Sequence, residues 1–385
     1  MEKFIELQEE IFTFFCQEKP VEATYLGIKG YDTTLGTFEH KDIEIFNQKR
    51  VEFLNKLAEI EPEKLALNMS IDYELLKNKL EGDLEFCLKS KPLYRNAVHY
   101  PEICMYGIYF LTLRNSLQPQ EKTLAIVERL KQIPSALKAA RENLMVGENI
   151  PEIWTKMGIE TSEGGVAFLS HLIENELKTE IPEQLKSELK TSVYLATEAI
   201  KSYKVFLEKE LLPRSTGNFA LGKDLFDYLL KRNFHLPYDT EKILEIGWEL
   251  FNETEHLLEE TAKLIDPNKS WKQIISEINL DTLPHDKLLE FYREELNKLK
   301  QFLLEQNLIT LPTGEFLDVI DTPEFERNKV PYAAYIPPPP FGRDKRGFFW
   351  VTPGDENRPG QNKYLGVMVA AHEGYPGHHL QYAVT

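Results

Sequence analysis

Ala371-His372-Glu373-Gly374-Tyr375-Pro376-Gly377-His378-His379-Leu380-Gln381 is the stretch on which the reading of the whole chain turns. Nowhere else in the 385 residues do three histidines and a carboxylate fall so close together. Their order is near that of the His-Glu-x-x-His signature, which puts two zinc-ligating imidazoles one helical turn apart with a glutamate beside them. Here, however, Pro376 occupies the place of the second histidine. In an unbroken helix His379 would share the face of His372 but lie about 10 Å along the axis, too far for one ion with nitrogen bonds of about 2.1 Å. His378 would be off that face. Pro376 removes a hydrogen bond and clashes with the His372 carbonyl, and Gly377 accepts unusual torsions. A kink or wide turn at Pro376-Gly377 can therefore swing either His378 or His379 back towards His372, and residue physics does not choose between them.

Leu365, Met368 and His372 recur at spacings of three and four, so His372 is predicted to point inward with the apolar residues. A lone buried histidine is ordinarily satisfied by a backbone carbonyl, but three histidines with an acid favour a metal site. Beside a ligand histidine, Glu373 has the position of a general base that takes a proton from an attacking water. Gln381, three residues after His378, is placed to hold that ring's other nitrogen. Tyr375 either donates a hydrogen bond to an oxyanion or packs.

Upstream of this helix, which is expected to start near Asn362, the texture is that of strands. Phe316 to Ile320, Tyr332 to Ile336 and Phe348 to Thr352 are short, aromatic and β-branched, bounded by Pro and Gly, with Pro337 to Pro340 between two of them. Phe348 to Thr352 suits either an edge that pairs with an extended peptide or a strand that fills the core. Arg343, Lys345 and Arg346 form a basic run that reads as a solvated loop, with a substrate carboxylate as the alternative partner. A further loop is expected from Pro353 to Pro359.

From the start to about Ile309 the periodicity is helical. Two runs, 41–60 and 65–88, look like a helical hairpin, and Leu185, Leu189, Val193, Ala196, Ile200, Tyr203 and Leu207 trace one face over about six turns. Further helices are expected over 121–133, 134–144, 222–230, 241–265 and 286–306, while 92–119 is aromatic and less regular. Gly164-Gly165 lacks a phosphate-loop lysine and reads as a turn before a helix. The expected organisation is a helical body, 1–308, followed by a strand-bearing platform, 309–385, that carries the start of the histidine helix.

With 42% hydrophobic residues the chain can fill a sizeable core. A formal charge of −17 repels phosphate backbones and anionic membrane surfaces, so neither nucleic acid nor membrane is an expected partner. No apolar run approaches the about 20 residues of a membrane span, and acids stand where a signal peptide would be basic, so a cytoplasmic protein is expected. Cys16, Cys87 and Cys104, widely spaced, suggest buried thiols. His99, His171 and His235 carry no motif and read as structural.

The block His-Glu-x-x-Pro-Gly-His-x-x-Gln, His372 to Gln381, resembles the signature of the bacterial domain of unknown function 885 family. Val21 to Gly27, Ile133 to Leu144 and Leu221 to Phe226 agree, so the resemblance spans essentially the whole chain. That family is similar to helical metallopeptidases of the zincin superfamily. The resemblance implies a mainly α, long-helix metallopeptidase-like (zincin-related) body with a small β platform before the histidine helix, and a metal-dependent hydrolase of peptides or related amides. Carried onto this sequence, it implies His372 and His378 as zinc ligands, Glu373 as base, Gln381 as support and His379 as a neighbour or alternative ligand. Such proteins take a further carboxylate ligand from a downstream Glu-Gly-Trp block, which this sequence does not contain. That ligand is expected beyond Thr385, so that this chain is either a truncated gene product or an N-terminal portion of a longer protein. The competing expectation is a zincin-like helical peptide-binding protein without catalysis; a plain scaffold is third.

Overall fold

The computed structural model describes residues 2–113, 117–278, 282–342, 344–354 and 361–385. Arg343 of the basic run and most of the expected 353–359 loop lie outside the described residues. The chain divides into two compact units, Met1–Ile246 and Gly247–Thr385. The change from helix to strand texture near Leu308 falls inside the second.

The first unit is built from helices α1 (Glu2–Glu18), α2 (Pro20–Leu26), α3 (His40–Ala58), α4 (Leu67–Ser90), α5 (Pro92–Arg95), α6 (His99–Thr112), α7 (Pro119–Val146), α8 (Glu152–Glu176), α9 (Glu183–Phe206) and α10 (Lys223–Arg232). The expected hairpin is α3 and α4, which pack on each other. In α9 the stripe Leu185, Leu189, Val193, Ala196, Ile200 and Tyr203 is buried and faces α7 and α8.

Three local expectations are corrected. The aromatic stretch 92–119 contains α6, in which Tyr100, Cys104, Met105, Gly107, Ile108, Tyr109 and Leu111 are buried and the opposite side is half-buried, so that no residue of the helix is exposed. A helix buried on nearly all sides shows no amphipathic period, which hides it from a search for one. Gly164-Gly165 is not a turn but lies inside α8, where a side chain on Gly165 would come within 3.0 Å of the Met105 sulfur. Pro134 does not start a helix; it sits within α7, and the Ser135 hydroxyl donates to the Gln132 carbonyl at 2.8 Å beside the interruption.

Arg129 of α7, wholly buried, ties the first unit's loops to its helices. Its guanidinium donates to the carbonyls of Thr34 (3.0 Å), Gly107 (2.5 Å) and Tyr31 (3.0 Å) and to the Thr24 hydroxyl (2.6 Å). Each is a group that burial would otherwise leave without water.

α11 (Thr240–Ile265) begins in the first unit and continues into the second, capped by Asp239, whose carboxylate accepts from Lys242 N–H at 3.0 Å. The second unit adds α12 (Trp271–Ile278), α13 (His285–Glu305), strands β1 (Phe316–Asp321), β2 (Ala333–Ile336) and β3 (Arg346–Val351), and helices α14 (Lys363–Glu373) and α15 (His378–Val384). The sheet order is β1-β3-β2, with β1 parallel and β2 antiparallel to β3. β3 is therefore central. The reading of Phe348 to Thr352 as a peptide-pairing edge is excluded, because both sides of that strand are already paired and Phe349, Trp350 and Val351 are buried. Leu288, Tyr292 and Leu296 of α13 pack with Val319, Phe349, Val351, Ala370, Tyr375 and Leu380 in one core. Arg346 opens β3 with its guanidinium 4.9 Å from the Phe316 ring and 3.5 Å from the Asp318 carboxylate.

Asn362 caps α14, its side chain accepting from Leu365 N–H at 2.8 Å. The helix buries its Gly366–Ala370 side, where a side chain on Gly366 would meet the Phe291 ring at 2.5 Å. That choice of face corrects the expectation that His372 points inward: Met368 is 69% exposed and His372 is exposed beside it. The family of contacts is mainly helical with a small sheet ahead of the histidine helix, and no helix among the described residues is long and apolar enough to cross a membrane.

Replacing Arg129 by Met strands several buried carbonyls at once, and urea denaturation is expected to show a loss of roughly 3 kcal/mol or more.

Candidate functional site

The histidine stretch is a helix in two pieces. α14 stops at Glu373, Gly374 to Gly377 turn the chain with a cis Tyr375–Pro376 peptide, and α15 starts at His378. The break needs small residues. A side chain on Gly377 would lie 1.7 Å from the His372 carbonyl oxygen, and one on Gly374 would lie 2.1 Å from a Leu296 methyl.

The turn carries His378 back to His372: the two rings stand perpendicular with centroids 4.7 Å apart. Glu373 joins them, and one ligand-capable atom from each of His372, Glu373 and His378 lies within 4.8 Å of the others. Ligand atoms on opposite sides of one ion with bonds of about 2.1 Å sit at most about 4.2 Å apart, so small side-chain rotations bring this trio into range. Glu373 is partly buried and accepts a hydrogen bond from the Tyr335 backbone N–H. Burial pushes its carboxyl above the ordinary value, against the opposing pull of the two imidazoles.

His379 turns the other way. It is fully buried, with Nε2 2.7 Å from a carboxylate oxygen of Glu315 and Nδ1 3.1 Å from the Tyr335 hydroxyl. Burial depresses the imidazole below its ordinary value, more than the Glu315 carboxylate raises it. The pair has the spacing of an ion pair, yet this balance makes it a neutral imidazole on a carboxylate. The consistent tautomer has Nε2–H donating to Glu315 and Nδ1 accepting from Tyr335. Glu315, one residue ahead of β1, also accepts from the Tyr375 hydroxyl at 2.6 Å and pairs with Lys300 of α13. Burial pushes the Glu315 carboxyl up, but the bonds from Lys300, Tyr375 and His379 together hold it below the ordinary carboxylate range.

The six residues singled out in the sequence thus separate. His372, Glu373 and His378 meet in one cluster, while His379 and Tyr375 converge on Glu315. Gln381 is exposed, and among the described residues its side chain makes no hydrogen bond to His378. Tyr375 is buried with its proton directed at Glu315, so its hydroxyl belongs to the support under the cluster. Glu315, Tyr335 and Lys300 were not legible as site residues. They lie dozens of positions upstream, and only the pairing of β1 and β2 with β3 brings two of them to the histidines. One further residue, Gln361, locks the approach to α14: it accepts from the Tyr292 hydroxyl and donates to the carbonyls of Tyr332 (2.9 Å) and Thr352 (3.1 Å).

A mainly helical body, a three-stranded sheet and a His/Glu cluster at a broken helix define the class. The chain belongs to the family described as "Bacterial protein of unknown function (DUF885)", which matches residues 20–385. Two solved structures share the fold. One is a "putative lipoprotein of unknown function" from Shewanella oneidensis, with 19% identity and a TM-score of 0.66, covering 98% of this chain and 71% of that one. The other is a "putative lipoprotein" from Colwellia psychrerythraea, with 14% identity and a TM-score of 0.77, covering 99% of this chain and 72% of that one. No curated protein matches the chain.

Two substitutions probe this geometry. Gly377→Ala meets a backbone carbonyl that no side-chain rotation moves aside; a cost of about 1–3 kcal/mol and dispersal of the His372–His378 contact are expected, read from thermal midpoints and histidine NMR shifts. Glu315→Gln keeps the shape and removes the charge. Since the folded carboxyl sits below its ordinary 4.5, its stabilisation is present above that pH and is lost as pH falls through the folded value. The variant is expected to be roughly 1–3 kcal/mol less stable than the parent near neutral pH. The gap should close below about pH 4.5, as read from denaturation midpoints.

Proposed function

We propose that this protein is a metal-dependent hydrolase of peptides or related amides, with His372 and His378 as zinc ligands and Glu373 as general base. The observation that carries the reading is the convergence of His372, Glu373 and His378 within 4.8 Å across a broken helix. Two imidazoles are donors that suit zinc, and the carboxylate beside them is left to act as the base. When bound, zinc supplies Lewis acidity towards water and a substrate carbonyl. The chain's own part is to present neutral imidazoles and to accept a proton. Glu373, raised by burial, has the driving force for that acceptance, and the Tyr335 N–H fixes its carboxylate. The peptide or amide substrate rests on the motif's resemblance to helical metallopeptidases of the zincin type.

A cytoplasmic setting is likewise proposed; the description of the two solved relatives as lipoproteins supports the opposite setting, and cell fractionation decides between them.

The test is metal analysis followed by turnover of a peptide library. About one zinc per chain is expected, lost in His378→Ala and kept in Glu373→Gln, with Glu373→Gln lowering turnover by roughly 10²–10⁴-fold. Absence of stoichiometric metal, together with identical turnover of parent and Glu373→Gln, overturns the proposal. Zinc retention with peptide binding and no turnover would favour the competing reading, a zincin-like peptide-binding protein.

A further inference from the structure

Tyr335 of β2 touches both halves of the broken histidine helix. Its main-chain N–H donates to the Glu373 carboxylate at the end of α14. Its side chain reaches three residues of α15. The ring lies parallel to the His378 imidazole, with an interplanar angle of 11° and centroids 6.5 Å apart, and packs on Tyr382, one turn further along, at 5.9 Å. Both distances fall in the range of about 4.5–7 Å found for packed aromatic pairs. The hydroxyl donates to Nδ1 of the fully buried His379 at 3.1 Å, which pins the far end of the ring.

Room for this ring is made by the strand beside it. Tyr335 pairs with Phe349 in the antiparallel register, which places Gly347 two residues along on the same face of β3. A side chain on Gly347 would lie 2.6 Å from the Tyr335 hydroxyl, 2.7 Å from a ring carbon and 3.0 Å from His379 Nδ1.

His378 needs such a support. A metal-ligating histidine ordinarily has its second ring nitrogen held by a carboxylate, a carbonyl or water, which fixes the orientation of the ring. Among the described residues no protein group hydrogen-bonds the His378 ring, and Gln381, placed by spacing to do so, is exposed. Ring packing remains, from His372 at 4.7 Å and from Tyr335. His372 is exposed, whereas Tyr335 is held at its main chain and at its hydroxyl, so Tyr335 is the fixed surface of the two.

We propose that Tyr335 is a positioning residue of the histidine cluster: its ring sets the orientation in which His378 meets His372 and Glu373, and its hydroxyl ties that ring to the buried His379–Glu315 pair. The functional meaning of this role rests on the reading of His372 and His378 as zinc ligands, while the orientation itself belongs to the metal-free chain.

Two readouts separate these levels. One is the zinc affinity of the full chain, from competition with a chelator for Zn²⁺ alone; the other is the NOE between the His372 and His378 ring protons in the metal-free chain. Tyr335→Leu is expected to lose that NOE and to bind zinc about 10–100-fold more weakly than the parent. Tyr335→Phe keeps the ring and the main-chain bond and should keep the NOE and most of the affinity, with a lower thermal midpoint because His379 Nδ1 loses its partner. Val319→Ala, a truncation in the core of the same unit, should lower the midpoint and leave both readouts as in the parent. Where Tyr335→Leu fails to fold, Gly347→Ala decides in its place: its methyl displaces the Tyr335 ring and should diminish both readouts. If the parent itself takes up no zinc, the metal reading falls and the NOE alone decides on Tyr335. A retained NOE or an undiminished zinc affinity in Tyr335→Leu, an equal loss in Val319→Ala, or no NOE in the parent would each overturn the proposal.

Discussion

The closest constraint in the second unit is the approach of Gly377 to the His372 carbonyl, where there is no room for even one carbon more. Because the backbone folds that tightly, α14 can end at Glu373 and α15 can start again at His378 on a new axis. Consecutive residues of a helix point about 100° apart, so two adjacent histidines at the start of α15 necessarily face different surroundings. One is delivered to His372 and Glu373; the other is driven into the core. Neither placement survives without the turn between them.

What stands under the cluster is a saturated carboxylate. Glu315 accepts from His379 and Tyr375 and is paired with Lys300, so the sheet, α13 and α15 are joined through one side chain. A buried carboxylate with a single partner would be costly, and with three it is a rigid joint. Because His379 is neutral there, the network places no uncompensated positive charge below the neighbouring imidazoles. The open cluster and the closed network are thus complementary halves of one short segment.

Much of the helical body was legible because side chains carry its pattern. The stripe on α9 needed only spacing. Legibility failed wherever packing is set by the absence of a side chain. The inward direction assigned to His372 followed Leu365 and Met368, but α14 docks through Gly366 and Ala370, since backbone can approach Phe291 more closely than any apolar side chain would allow. Gly164-Gly165 misled for the same reason: it reads as a turn, yet it is a close helix contact with Met105. In β3 the unbroken run Phe348 to Val351 was the sign of a central strand, buried on both faces, rather than of an edge. The pairing of His378 rather than His379 with His372, and the role of Glu315, depend on a turn and on strand pairing that no local spacing encodes.

The three glycines of the histidine segment face obstacles of different kinds, and this sets how the segment can drift as sequences diverge. Gly366 is opposed by the Phe291 ring and Gly374 chiefly by a Leu296 methyl, both on α13. A larger residue at either position is open to rescue by a smaller partner, so these sites should change in pairs, with α13 following α14. Gly377 is opposed by main-chain atoms of residues 371 and 372. No substitution elsewhere can trim a carbonyl, so that position has no compensating partner and admits no gradual exchange.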